Sequence, residues 1–179
     1  MYEKIFKSID NSIRLDSNCD GELDYAEQSS WILFLKWLDD YQSEQEKISK
    51  LNNTNFNNLF QDKFKWSSWA VPRNDDGKVN FEKQLTGPDL NDFVNKELFP
   101  YLGSFLKEST NTNSIHHKIG IIFSELKNKI EDGYILRDVL NDVDKLQFKS
   151  DSQKHELSVL YENKIEKMGN AGRDGGQYY

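Results

Sequence analysis

The segment 23-LDYAEQSSWILFLKWLDD-40 contains the longest apolar run of the chain, and it predicts the centre of the fold. Within it, residues 31–38 are apolar at nearly every position apart from Lys36. A helix that is apolar nearly all round is typically buried on several sides. The spacing therefore predicts one helix from about Tyr25 to Ile48, central in the fold, whose second half is polar and extends into solvent.

Apolar residues recur at helical spacing along most of the remaining chain. Gly87-Pro88 after Thr86 indicates a helix start, and Pro100 should end or kink that helix near Phe99. Asp76-Gly77 between short apolar pieces indicates a small β-hairpin near 70–82. The expected fold is therefore mainly α, an irregular multi-helix bundle. The predicted helices cover residues 2–14, 25–48, 86–99, 114–130, 134–146 and 152–168, with Gly133 as the C-terminal stop of the fourth.

The composition of the chain limits the classes of protein to which it can belong. The chain has 179 residues, 36% of them apolar, and a formal net charge of −7. That charge has the wrong sign for a simple nucleic-acid binder, so a DNA role would need local basic patches or partner subunits. No apolar run is long enough for a membrane helix, and no signal peptide is recognisable. Because Cys19 is the single cysteine, an internal disulfide is excluded, which is consistent with a reducing cytoplasm. Neighbouring acidic residues should raise the pKa of its thiol.

The expected domain organisation is simple. Residues 1–170 form one helical N-terminal domain, and residues 171–179 form a glycine-rich linker that leads to a catalytic domain absent from this chain. The two histidine positions, His116-His117 and His155, lack the Cys or carboxylate spacing of a zinc site.

Residues 16–27 match the calcium-loop pattern of an EF-hand, with Gly21 at the turn position. The alternative is an acidic junction followed by a capped helix, with Asp24 as the cap. We favour this alternative because no second loop is found and Ser12 and Gln28 stand where EF-hand helices carry apolar residues. The candidate ligands are Asp16, Asn18, Asp20, Glu22 and Glu27.

One cluster combines aromatic and basic residues. Trp66 and Trp69 lie close in sequence to Lys63, Lys65 and Arg73. The functional interpretation is contact with DNA or with a partner subunit. The alternative, which we favour for the tryptophans, is that they anchor the core, as large aromatics mostly do and as Trp31, Phe34 and Trp37 should. The remaining candidate contact is Arg173, in the glycine-rich tail, and Lys149, Lys154 and Lys164 are interpreted as a solvated face.

Four segments, in this order, resemble the N-terminal domain of type I restriction-modification modification subunits. They are 23–40, quoted above, 66-WSSWA-70, the segment 85–102 that begins LTGPDL, and 155–179, which ends GNAGRDGGQYY. Together they cover nearly the whole chain. In that family the segment corresponding to residues 16–27 is a helix junction rather than a metal site.

The resemblance implies a domain of an adenine-N6 DNA methyltransferase that uses S-adenosylmethionine in the parent protein. Tyr178 and Tyr179 would lead to the cofactor region. The family's catalytic Asn-Pro-Pro-aromatic tetrapeptide is missing, since Pro72, Pro88 and Pro100 are not adjacent. The chain alone should therefore neither hold the cofactor nor transfer a methyl group.

The resemblance also implies partners. They are a specificity subunit, a restriction subunit, a second modification subunit and double-stranded DNA. This domain would help to enclose the DNA. It would also dock the specificity subunit and the catalytic domain. Two other hypotheses remain, a calcium-binding EF-hand-like module and a generic helical interaction domain.

Overall fold

The computed structural model describes residues 2–148, and these form a mainly α bundle, as predicted. Among them no helix is long and apolar enough to cross a bilayer. The predicted helix 152–168 and the linker 171–179 lie outside the described residues. The helices are α1 (Tyr2–Ile13), α2 (Glu22–Leu51), the short α3 (Trp66–Trp69), α4 (Gly87–Phe93), α5 (Phe99–Glu108), α6 (Ile115–Glu125) and α7 (Gly133–Asp144).

Helix α2 lies at the centre, and both α1 and α7 pack against it. Its first half is buried nearly all round, as predicted, and Trp31 packs edge-on against Phe99 with ring centroids 5.1 Å apart. The helix begins at Glu22, three residues before the predicted start, so the interpretation of Asp24 as the cap was wrong. Asp24 instead lies in the first turn, where its Oδ2 accepts the backbone N–H of Asp20.

The chain stays helical across Pro100, so of the two predicted outcomes, an end or a kink near Phe99, the end was wrong. The preceding turn, Val94–Leu98, is a π-helical turn that joins α4 to α5. Proline lacks an N–H and its ring crowds the carbonyl of the preceding turn. A wider turn at this point accommodates the ring without ending the helix.

Helix α6 ends at Glu125, five residues before the predicted end at Ile130. The cause is a tertiary contact. Gln28 of α2 is fully buried, its Nε2 donates to the carbonyl of Lys127, and its Oε1 accepts the N–H of Lys129. These bonds hold the 127–129 segment extended against α2, which overrides the helical spacing of the sequence.

Gly133 begins α7 instead of ending the preceding helix, so its predicted role was wrong. Asp132 is the cap, and its Oδ1 accepts the N–H of Tyr134 at 2.7 Å. A β-carbon at Gly133 would overlap the backbone of Gly87, where α4 begins. Glycine is therefore required at 133 by the close approach of α4 and α7.

The predicted hairpin near 70–82 is present only as a minimal form. Arg73 and Val79 form one antiparallel bridge, and the N–H of Asn74 donates to Lys78 O at 2.8 Å. Gly77 makes the turn with a φ of +81°. No extended strand occurs in the described part of the chain, and the structure remains mainly α.

Candidate docking and nucleic-acid surfaces

The two tryptophans of the aromatic-basic cluster are buried, each with 3% of its surface exposed. Their rings meet edge to face at 5.7 Å, and Trp66 Nε1 donates to Asp144 Oδ1 at 2.9 Å. The core interpretation is confirmed for both. Neither indole is therefore available to DNA or to a partner subunit in this structure.

The three cations of that cluster each face a carboxylate. Lys63 also lies over the rings of Phe64 and Phe93, at 5.8 and 5.7 Å. Exposed ion pairs are weak, so Lys63 and Lys65 can exchange an acidic partner for a phosphate, whereas Arg73 pairs with Asp144, whose side chain is only 13% exposed and also bonds Trp66. These cations do not create a positive surface by themselves. The pairs are Lys63–Glu97, Lys65–Asp62 and Arg73–Asp144.

A buried arginine that the sequence did not single out holds the segment beside this cluster. Arg137 of α7 is 5% exposed and donates to the carbonyls of Ala70 and Leu85. Burial lowers its pKa to about 10, while nearby Asp138 raises it. Its guanidinium group therefore ties two chain segments, one before and one after the hairpin, to α7, and we assign it a structural role. Its position on the apolar face of a predicted helix was the only sequence signal.

The proposed calcium ligands are engaged by protein groups. Asp16 is buried, its Oδ1 accepts the N–H of Asn18, and its Oδ2 accepts the N–H of Asp132 at 2.8 Å. The amide of Asn18 donates to Lys129 O. Asp16 therefore ties the α1–α2 junction to the start of α7, a structural task that uses both of its oxygens.

Three further acids of that loop, Glu22, Asp24 and Glu27, lie beside a lysine or an arginine, whereas Asp20 is held through its backbone N–H. Lys129 Nζ lies 2.6 Å from Asp24 and 3.5 Å from Glu27, and Arg14 lies 2.6 Å from Glu22. The hydrogen bond from Lys129 lowers the pKa of Asp24. Within residues 2–148, no group of three or more His, Cys, Asp or Glu is placed to hold a metal ion. The loop is an acidic junction between α1 and α2, but α2 begins without the Asp24 cap that this interpretation included.

A cleft of about 620 Å³ lies between α5 and α6 and extends to the residues after α6. Phe99, Phe123 and Leu126 supply apolar lining, and Lys107 and Lys127 also line it. Among residues 2–148, no acidic side chain lines the cleft, although the chain is acidic overall. No pattern in the sequence predicts this cleft, because its two lysines, one in α5 and one after α6, are twenty residues apart and come to one site only in the folded chain.

The outer face of α2 carries exposed apolar side chains. Trp37, Tyr41 and Ile48 are 36–44% exposed, and Leu51 is 83% exposed. Trp31 is core as predicted, but the assignment of Trp37 to the core was wrong, since its ring stacks on Phe34 and Tyr41 along the surface. Where a helix is apolar on nearly every side, the sequence pattern does not distinguish a residue that faces the core from one that faces solvent.

Comparison with known proteins gives a consistent family. No family model matches the chain. The methylase subunit of the type I restriction enzyme EcoEI, from Escherichia coli, is 30% identical over 175 residues, 98% of this chain. A modification subunit of a type I restriction enzyme from Vibrio vulnificus has the same fold, with a TM-score of 0.80, 29% identity and 99% of this chain covered. This chain is a homologue of type I modification subunits.

A second solved structure also has this fold, with a TM-score of 0.73 and 27% identity over 99% of this chain. It comes from work on complex assembly and conformational transition of the type I restriction-modification system. The type I modification subunits are much longer than the matched part. The chain spans 33% of the E. coli methylase subunit, and 37% and 32% of the two structural relatives.

Three of the four segments that resemble the modification subunits lie in the described structure. Residues 23–40 lie in α2, residues 66–70 include α3, and residues 85–102 run from the start of α4 into α5. The fourth, residues 155–179, lies outside the described residues, and with it Arg173, Tyr178 and Tyr179.

Proposed function

We propose that this chain is the N-terminal helical part of a type I DNA adenine-N6 methyltransferase subunit, acting in the cytoplasm. In this proposal it helps to enclose DNA, docks the specificity subunit and the catalytic domain, and does not transfer a methyl group itself. The observation that carries the proposal is the match of nearly the whole chain to about a third of a type I methylase subunit. The fold agreement with two modification-subunit structures supports it.

Residues 2–148 do not fit a binding site for S-adenosylmethionine, the cofactor proposed for the parent protein. Such sites use a glycine-rich turn between a strand and a helix. Within this described part of the chain the positive-φ glycines are Gly77, in the hairpin, and Gly87, at the start of α4, and neither follows a strand. The prolines of the chain are also too far apart for an Asn-Pro-Pro catalytic segment. We therefore assign no reaction step to this chain.

Two local basic regions support a share in DNA enclosure despite the net charge of −7. Lys107 and Lys127 line one cleft to which the described part of the chain contributes no acidic side chain. Lys63, Lys65 and Arg73 form the second region, where Lys63 and Lys65 have weak, exchangeable carboxylate partners and Arg73 pairs with the largely buried Asp144. So few cations cannot outweigh the overall charge, and this predicts weak DNA binding without partner subunits.

Apolar side chains on the outside of α6 support a docking role. Ile115, Ile121 and Ile122 are each 41–44% exposed. Adjacent exposed isoleucines are typical of surfaces that bind another protein. The proposed partners are the specificity subunit, the restriction subunit, a second modification subunit and the catalytic domain of the parent protein.

Co-purification tests the docking role. The tagged chain is mixed with the specificity subunit and catalytic portion from the same system, and the complex is isolated by size exclusion. Co-elution of the chain with that complex is expected, with weaker retention of Ile121→Ser and no change for Lys83→Ser, a polar-site control. A chain that never co-elutes, although circular dichroism shows it folded, would reject the proposal.

Calcium titration separates the EF-hand alternative from this proposal. Because both oxygens of Asp16 are occupied by backbone N–H groups, calorimetry should detect no micromolar binding. Micromolar binding that disappears in Glu27→Gln would favour the calcium module instead.

A further inference from the structure

The cleft between α5 and α6 has the size of a small-molecule site and an apolar floor. Its volume of about 620 Å³ lies within the range of roughly 300–1,000 Å³ that is typical of such sites. Phe99 and Phe123 line it, and their rings meet edge to face at 5.1 Å, which fixes the floor. Gly103 also lines the cleft, and its lack of a side chain leaves space over that floor.

The packing of α5 on α6 determines which lining residues lie opposite each other. A β-carbon at Gly103 would lie 3.5 Å from the backbone of Phe123, and a β-carbon at Gly120 would overlap the backbone of Leu106. These two contacts show that the helices run antiparallel. Extending the same register by one turn places Lys127, which follows α6, at the level of the turn before Gly103.

The two lysines of the cleft therefore flank Gly103. Lys107 lies one turn after Gly103, about 12 Å along α5 from the level of Lys127, and a lysine's four-carbon stem reaches about 6 Å, so both ammonium groups can contact a ligand group placed over Gly103. Neither lysine forms an ion pair within residues 2–148, and Glu108 beside the cleft accepts the hydroxyl of Ser104 at 2.8 Å. Two unpaired cations match a phosphate monoester, whose charge is about −1.5 to −2, better than the singly charged phosphates of nucleic acid.

The π-helical turn before α5 adds neutral polar groups to the cleft. Phe99 N–H bonds to the carbonyl of Val94 in this turn. The next bond of that register would run from residue 100 to Asn95, but Pro100 has no N–H, so the Asn95 carbonyl lacks this donor. Asn95 and Pro100 both line the cleft, and the side-chain amide of Asn95 forms no hydrogen bond with any described residue. This end of the cleft can therefore both donate to a ligand and accept from it.

We propose that this cleft binds a small aromatic phosphate monoester with the size and chemistry of a free nucleoside monophosphate. The phosphate lies over Gly103, between the two lysines. The aromatic body lies on the floor that Phe99 and Leu126 help to form, and a polar edge of the body meets Asn95. The proposal goes beyond the proposed function, because the ligand is a free small molecule and its binding needs neither DNA nor another subunit. The bases of duplex DNA are held inside the stack, so a duplex does not present this combination of groups.

Calorimetric titration of the 179-residue chain with adenosine 5′-monophosphate tests the proposal, and adenosine and inorganic phosphate serve as probes that each lack half of the ligand. The dissociation constant of the monophosphate should be on the order of 0.1–1 mM, and each half-probe should bind at least about tenfold more weakly. Lys107→Ser and Lys127→Ser should each weaken binding of the monophosphate by about threefold to tenfold, because each removes a charged contact to the phosphate. Lys83→Ser removes an exposed lysine outside the cleft and should leave binding unchanged.

Two variants of Gly103 test the position of the ligand without a change of charge. Gly103→Leu fills the space over the floor and should weaken binding by at least about tenfold, whereas Gly103→Ala, whose methyl group makes an ordinary contact with α6, should retain most of the affinity. Circular dichroism checks that each variant is folded, and the lysine variants decide the question if Gly103→Leu does not fold. The proposal is overturned if binding of the monophosphate is not detected up to about 10 mM, a concentration far above the expected constant. It is equally overturned if either half-probe binds as tightly as the monophosphate, if Lys83→Ser weakens binding as much as Lys107→Ser, or if folded Gly103→Leu binds like the wild type.

Discussion

Replacing Gln28 by leucine tests the contact that shapes the middle of the fold. The side chain of Gln28 is fully buried in α2, and besides the exposed carboxylate of Glu27 it bonds three partners. Its Oε1 accepts Trp31 Nε1–H at 3.0 Å and the backbone N–H of Lys129 at 3.1 Å, and its Nε2 donates to Lys127 O at 3.1 Å. Leucine has a similar volume but leaves all three partners without a hydrogen bond.

The expected loss of stability follows from the number of partners. A buried group left without its hydrogen bond costs about 1–3 kcal/mol, and backbone groups near residue 128 can recover part of this from water. The total should be about 3–5 kcal/mol, a large fraction of the roughly 5–15 kcal/mol that stabilises a typical domain. Gln45→Leu makes the same chemical change at a partly exposed position of α2 and should change stability by less than about 1 kcal/mol.

Urea denaturation followed by tryptophan fluorescence and circular dichroism measures both variants. The Gln28→Leu midpoint should fall well below that of the wild type, with the slope unchanged. A loss under about 1 kcal/mol, or a loss equal to that of Gln45→Leu, would refute the claim that Gln28 holds the 127–129 segment in place.

Three further predictions concern packing, thiol chemistry and charge. Gly120→Ala should destabilise the chain strongly because the new methyl group would overlap the backbone of α5, whereas Gly103→Ala, whose methyl group would lie 3.5 Å from its nearest neighbour, should be neutral or stabilising in thermal melts. Burial, and then the charge of a neighbouring acid, raises the pKa of Cys19 to about 11, so its labelling by a disulfide reagent near ~pH 8 should be at least ~100-fold slower in the folded chain than in urea. Because Lys129 lowers the pKa of Asp24, their pair stabilises the fold above the unfolded pKa of Asp24 and this contribution is lost as the pH falls through the folded value. Asp24→Asn should therefore cost less than about 1 kcal/mol near neutral pH and nothing near ~pH 2 in urea titrations, whereas an equal cost at both pH values would contradict the assignment.

The sequence predicted most helices correctly, because the spacing of apolar residues and the residues typical of helix starts are local features of the sequence. The apolar run of α2 and the Gly87-Pro88 start of α4 both lie where the sequence placed them. The end of α6 could not be predicted, because it depends on Gln28, about a hundred residues away in the chain. The role of Gly133 depends likewise on the backbone of Gly87, which only the folded chain brings near.

The candidate surfaces were harder to predict than the fold. The aromatic-basic cluster was found from its residue types, but the sequence does not show that its cations meet acids such as Glu97 and Asp144. The cleft with Lys107 and Lys127 combines positions on two different elements.

Reconstituted methyl transfer tests the proposed role most directly. The chain, the catalytic portion of the parent subunit and the specificity subunit are assayed separately and together for transfer of a labelled methyl group to DNA that carries the target site. The proposal predicts no transfer by the chain alone and transfer by the combination well above that of the mixture lacking the chain. Methyl transfer by the chain alone, or full activity without it, would contradict the role of a docking and DNA-enclosing domain.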